Sequence, residues 1–132
     1  MFGAGRQCFL AAFVALAASS LAAATPLAIH IHSERAMFQV LISPGTVGTD
    51  DFVLQLMTGE GNLLQAKEAT LILSLPEQGI APLVRKATRG PDGYWSVHDV
   101  PISAAGRWHL RIDAVTAFEK ISLEDDFDVP AR

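Results

Sequence analysis

The sequence predicts an all-β protein, an antiparallel sandwich of about seven or eight strands, and three observations carry that expectation. From Thr25 onward, short runs of alternating apolar and polar residues recur every ten or so positions. Clusters of turn-forming residues separate them, among them "SPG", "GEG", "PEQG" and "GPDG". No stretch after Thr25 carries the spacing of an amphipathic helix.

The first run is "LAIHIH" (Leu27 to His32), and a turn at "SER" leads into "AMFQVLISPG" (Ala36 to Gly45). The third, "DFVLQLMTGEG" (Asp51 to Gly61), closes in a Gly-rich turn. "EATLILSLPEQG" (Glu68 to Gly79) alternates until Pro76, which has no N–H to give a sheet and marks the strand end. "IAPLVRKATRGPDG" (Ile80 to Gly93) reads as one run into a turn. "YWSVHDV" (Tyr94 to Val100), "GRWHLRIDAV" (Gly106 to Val115) and "AFEKISLEDDFDV" (Ala117 to Val129) complete the order. Period two then assigns the core. Trp108, Leu110 and Ile112 share one face, as do Phe52, Leu54 and Leu56, and Leu71 and Leu73. Val97 and Trp95 also belong inside.

The chain of 132 residues leaves room for one domain. Arg6 followed by "CFLAAFVALAASSLAAA" (Cys8 to Ala24) has the form of a secretory signal, with Ala22 and Ala24 as the small residues at a cleavage site. Cleavage is expected before Thr25, with Ala23 as second choice, giving a signal over 1–24 and a domain over 25–132. An uncleaved anchor is the competing reading, but the run is short for a span of about 20 apolar residues. Cys8, the single cysteine, leaves with the signal, so the mature domain has neither a disulfide nor a thiolate ligand. About 108 residues suffice for a core without disulfides.

The net charge of −4 and the scattered cations give no nucleic-acid groove. The basic cluster "VRKATRG" (Val84 to Gly90) lacks interleaved aromatics and fits a strand edge guarded by Arg and Lys. The acidic "LEDDFDV" (Leu123 to Val129) has no calcium-loop spacing and fits an exposed strand face.

One stretch carries chemistry. In "AIHIHSERAMFQV" (Ala28 to Val40) a hairpin turning at Ser33 to Ala36 sets His32 opposite Met37, His30 opposite Gln39, Ile31 opposite Phe38 and Ile29 opposite Val40. The isoleucines, Phe38 and Val40 share the buried face, and His30, His32, Met37 and Gln39 share the other. A slip of one residue would break that match. Histidines at i and i+2 lie about 7 Å apart, and an opposite thioether lies within reach. Two imidazoles and a thioether suit copper, above all Cu(I); zinc and calcium gain little from methionine. A blue-copper centre needs the cysteine that the mature chain lacks. The same pair also fits a plain solvated hairpin. His98 and His109 are isolated surface histidines on outward faces, and Met57 reads as a packing residue. Ser33, His32 and Glu34 are neighbours in sequence that cannot form a triad, and no carboxylates sort into acid and base, so no enzyme is expected.

"LAIHIHSERAMFQVLISPG", "AKEATLILSLPEQGIAPLVRKATRGPDGYWSV" and "GRWHLRIDAVTAFEKISLED" together resemble the periplasmic C-terminal domain of CopD-type copper-resistance and copper-transport proteins, which is related to YtkA-like domains. The resemblance runs from about Leu27 to Val129. It implies an immunoglobulin-like sandwich and a periplasmic copper-handling role, with His30, His32 and Met37 on the family's "HIH...AM" pattern. CopD-type proteins also carry a membrane bundle, and here only the signal precedes the domain. The expected role is therefore copper capture in the periplasm, or docking onto a separately encoded membrane copper transporter. CopC-like carriers have a histidine at the mature N-terminus; this chain does not, so their Cu(II) site is not transferred. The alternatives are a metal-free interaction module docking on an envelope protein, or a purely adhesive or structural sandwich.

Overall fold

The structure, a computed structural model, describes residues 26–131. The signal expected over 1–24, with Cys8 and the expected cleavage positions, lies outside the described residues. Among the described residues there are nine strands: β1 (Leu27–His32), β2 (Ala36–Ser43), β3 (Gly48–Thr58), β4 (Ala66–Leu75), β5 (Ile80–Lys86), β6 (Thr88–Arg89), β7 (Trp95–Ile102), β8 (Gly106–Thr116) and β9 (Lys120–Val129). Two antiparallel sheets result, one in the order β1-β2-β3-β7-β6 and the other β5-β4-β8-β9. The all-β sandwich expected from the alternation is the fold observed. Among the described residues no helix is long and apolar enough to cross a membrane.

The inward parity of each strand fills the space between the sheets. Phe38, Val40 and Ile42 of β2, Phe52, Leu54 and Leu56 of β3, and Trp95 and Val97 of β7 are buried. They meet Leu71, Leu73 and Leu75 of β4 and Trp108, Leu110 and Ile112 of β8. Trp108 is 1% exposed, and its indole N–H donates to the Ala104 carbonyl at 3.0 Å. That bond satisfies the one polar atom of a large buried ring.

Several boundaries differ from the sequence expectation, and three of the differences have a local cause. The run from Ile80 does not stay in one sheet. It pairs with β4 through Lys86, then leaves at Ala87, and Thr88 and Arg89 pair with β7 in the opposite sheet. Period two says which residues point inward but not which sheet receives them. The last strand begins at Lys120, not Ala117, because the Thr116 hydroxyl accepts from the N–H groups of Phe118 and Glu119 and forms a turn there. β3 begins earlier, at Gly48, which carries Asp50 inside at 1% exposure. Opposite it, the pairing with β7 slips between Asp50 and Phe52, and Asp99 takes a positive φ of 56° while its N–H donates to Asp51.

The outer face of the second sheet is charged. Along β8 and β9, Arg107 stands opposite Asp128, His109 opposite Asp126 and Arg111 opposite Glu124. His109 bonds Asp126 through Nδ1 at 2.7 Å and Glu124 through Nε2 at 2.8 Å. Both ring nitrogens therefore face carboxylates, an arrangement that only the imidazolium satisfies as a double donor. The Asp126 hydrogen bond, against an opposing desolvation effect, raises the His109 pKa above its ordinary 6.5, and the same bond lowers that of Asp126 below 3.8. β5, with Pro82, Arg85 and Lys86, forms the other edge of this sheet, as the guarded edge read from the sequence.

Replacing Trp108 with Phe leaves the Ala104 carbonyl without its donor and opens a cavity, and should cost about 2–3 kcal/mol, read from the urea midpoint at constant m-value. The His109 pair gives a signed pH effect. Its stabilisation is fully present below about pH 6.5, the unfolded value, and fades as pH rises through the raised folded value. The Asp126 side contributes above 3.8 and is lost as pH falls through its lowered value. The gap in melting temperature between the wild type and His109→Gln should therefore be widest near about pH 5–6 and close toward about pH 9. Solvent screening of these exposed groups keeps it small.

Candidate metal centre

The hairpin that carries the histidines turns through three residues for a local reason. The Ser33 hydroxyl accepts from the backbone N–H groups of Arg35 and Ala36 at 3.3 and 3.1 Å, and the Ser33 N–H donates to the Ala36 carbonyl at 2.9 Å. This closes the turn and sets the register beyond it. His32 pairs with Met37, Ile31 with Phe38, His30 with Gln39 and Ile29 with Val40, as hydrophobic matching required. Ile29, Ile31, Phe38 and Val40 are buried; His30 and His32 are exposed and Met37 is half-buried.

β3 then extends the outer face by one strand. Met37 pairs with Met57, Gln39 with Gln55 and Leu41 with Val53. Across three strands the rows become His32–Met37–Met57, His30–Gln39–Gln55 and Ala28–Leu41–Val53. Met57, read from the sequence as a packing residue with no histidine near it, stands directly beside Met37. The signal was present but needed a second register. Ile42, Val40 and Phe38 face Phe52, Leu54 and Leu56 on the buried side, and that match fixes the outer pairs too.

Backbone contacts hold this corner in place. The Gly59 N–H donates to the Arg35 carbonyl at 3.1 Å, and a Cβ on Gly59 would lie 2.8 Å from the Glu34 carbonyl oxygen, so only glycine admits the turn this close. Arg35 also forms an ion pair with Glu119 in the β8–β9 turn. Leu63 bridges to the far side of Met57 and lies over Gly93. A groove of about 280 Å³ opens beside this corner, between the β3–β4 loop and the β8–β9 turn, and Phe118 at its rim is 95% exposed.

His98 and His109 do not join the cluster. His98 lies 3.5 Å from Asp51. Asp51 is six positions along β3 from Met57, so roughly 20 Å separates the two rows at strand spacing. His109 is engaged on the outer face of the other sheet.

The donor set determines which ion these residues fit. The rings of His30 and His32 are nearly parallel, 12° apart in plane, with centroids 6.4 Å apart. A metal–nitrogen bond of about 2.0 Å puts each ring centroid roughly 3 Å from a shared ion, so the pair stands at the outer limit and must turn inward to converge. Both rings are exposed and have room to do so. Among the described residues no three His, Cys, Asp or Glu side chains are grouped to hold a metal. Besides the two imidazoles, this face offers the thioethers of Met37 and Met57 and the amides of Gln39 and Gln55, and thioether sulfur suits soft Cu(I) better than zinc, calcium or magnesium. No residue of the three rows is an Asp, Glu, Lys or Arg.

No protein-family model, curated protein or solved structure matches the chain.

Because both imidazoles project from an exposed strand face, replacing either with alanine should change unfolding free energy by no more than about 0.5 kcal/mol. Chemical denaturation of His30→Ala and His32→Ala checks this, and a larger loss would mean that the rings contribute to packing.

Proposed function

We propose that this domain binds Cu(I) reversibly on the outer face of β1 and β2, through His30, His32 and Met37, and serves copper handling in the bacterial periplasm. The observation that carries the reading is the placement of His32 directly opposite Met37, with His30 one ring further along the same face. The resemblance of the "HIHSERAM" segment to the periplasmic domain of CopD-type proteins supports it. Gln39, opposite His30, is placed to hydrogen-bond in the outer shell.

The chemistry proposed is capture and hand-over, with no bond-making catalysis. The two imidazoles are exposed, so an incoming donor from another molecule can replace one ligand before the others leave. Ligand exchange of this kind moves copper without releasing it to water. A separately encoded membrane copper transporter is the acceptor this reading implies.

The rival is a metal-free interaction module. The observation favouring it is the exposed Phe118 beside the apolar groove, together with half-buried Leu41 and Val53 on the outer face. Under that reading the face with the histidines is contact surface only.

Anaerobic Cu(I) competition titration of the purified protein against a chromophoric chelator separates the two. The copper reading expects one ion per chain, with affinity falling at least about tenfold, or 1.4 kcal/mol, in His32→Ala and in Met37→Leu. Absence of Cu(I) binding by the folded wild type would sink it and leave the docking module standing.

A further inference from the structure

We propose that Met57 is a ligand of the same site, so that Cu(I) is held by the His32 imidazole and by two thioethers, Met37 and Met57. This inference rests on the copper reading above, adds a strand to it, and moves His30 from a resting ligand to the ligand of entry. The sequence places Met57 twenty residues from Met37, but the fold makes them direct cross-strand partners. His32 flanks Met37 on one side and Met57 flanks it on the other, in a single row across β1, β2 and β3.

The geometry of a sheet makes that row a workable cradle. Directly opposed residues on one face hold their Cβ atoms about 4.5–5.5 Å apart. His32 and Met57 therefore start roughly 10 Å apart with Met37 between them, a gap that an imidazole from one side and a thioether from the other can close over the central residue. Methionine has three rotatable bonds and adapts its sulfur position at little cost. Met57 is also screened on its far side, where Leu63 bridges to it and rests against Gly93. Met57 is half-buried, while His30 and His32 at the opposite end are exposed. The row thus runs from a wet imidazole edge to a drier thioether end.

Charge gives an independent argument for the oxidation state. All the donors are neutral, and no carboxylate stands in the rows to offset a dication. The cost of partly desolvating an ion rises with the square of its charge, so a monocation is far less disfavoured there than Cu(II) or Zn(II). Two soft sulfurs reinforce the same selection. His30 then acts as the entry ligand, exchanging with His32 at the exposed edge, and Met57 gives the ion its third donor at rest.

The test is Cu(I) competition titration of the wild type and Met57→Leu, with X-ray absorption at the copper edge of the wild type. Leucine conserves volume, and thermal unfolding confirms that the variant folds. The expected results are at least about a tenfold loss of Cu(I) affinity in Met57→Leu and two sulfur scatterers per copper in the wild type. Wild-type affinity in Met57→Leu, or a single sulfur scatterer, overturns the role of Met57 and leaves the site of His30, His32 and Met37 intact. If the wild type binds no Cu(I), the copper reading itself fails, and this assignment fails with it. Should Met57→Leu unfold, the scatterer count in the wild type decides alone.

Discussion

The arrangement of the outer face depends on a constraint that acts on the inner one. Ile31, Phe38 and Leu56 form one buried row across β1, β2 and β3, and Ile29, Val40 and Leu54 form the next. Burying a large aliphatic or aromatic side chain contributes about 1.5–3 kcal/mol, so a slip of one residue that turned such a row to water would cost many times the energy of any outer-face contact. The outer rows have no comparable force of their own. His32, Met37 and Met57 stand in line because their neighbours one position away cannot face solvent. The core thus positions a cluster of soft donors that do not themselves hold the strands in register.

The two outer faces of the sandwich follow opposite electrostatic plans. On β8 and β9, cation and anion alternate across the strands, with Arg107, His109 and Arg111 facing Asp128, Asp126 and Glu124. Such a face is strongly hydrated, and β9, an edge of its sheet, carries enough like charge to discourage pairing with another chain. On β1, β2 and β3 the three rows from Ala28–Leu41–Val53 to His32–Met37–Met57 carry no charged residue and are only partly wet, and Asp51 lies further along β3. A neutral face with lone pairs from nitrogen and sulfur attracts no counter-ion of either sign. An ion held there, as proposed, would be distinguished by softness instead, a property that acts only at bond length. That contrast leaves one outer sheet face charged and hydrated and the rows beside the hairpin uncharged.

Much of this was legible from residue order alone. Alternation in "LAIHIH" and "AMFQVLIS" gave both strands, the turn between them and the four pairs next to it, because one short connection fixes the register that burial demands. The assignment of Trp95, Val97, Trp108, Leu110 and Ile112 to the core rested on the same period and holds. What escaped were features that parity does not encode. Ala87, where the chain leaves one sheet for the other, looks in sequence like any small residue between polar ones. The neighbourhood of Met57 was missed for a different reason. Its strand begins at Gly48, three residues before the apolar alternation becomes clear, and the longer connection from Ser43 hides the register until both strands are in place.

The rigidity of this corner bears on how a shallow site could hold an ion at all. Exposed ligands on independent loops would each lose conformational freedom on binding, and that cost would consume most of the affinity. Here the backbone is already ordered. Ser33 closes the β1–β2 turn, Gly59 accepts that turn at contact distance, and Arg35 ties it to Glu119 across the end of the sandwich. Only side-chain rotation remains to be frozen, about ten torsions for two histidines and two methionines, at about 0.5–1.5 kcal/mol per side chain. A preordered strand row with mobile donor tips therefore combines two properties that usually oppose each other. The proposed binding would lose little entropy in fixing the frame, and exchange would stay fast because each donor can swing away without disturbing the sheet beneath it.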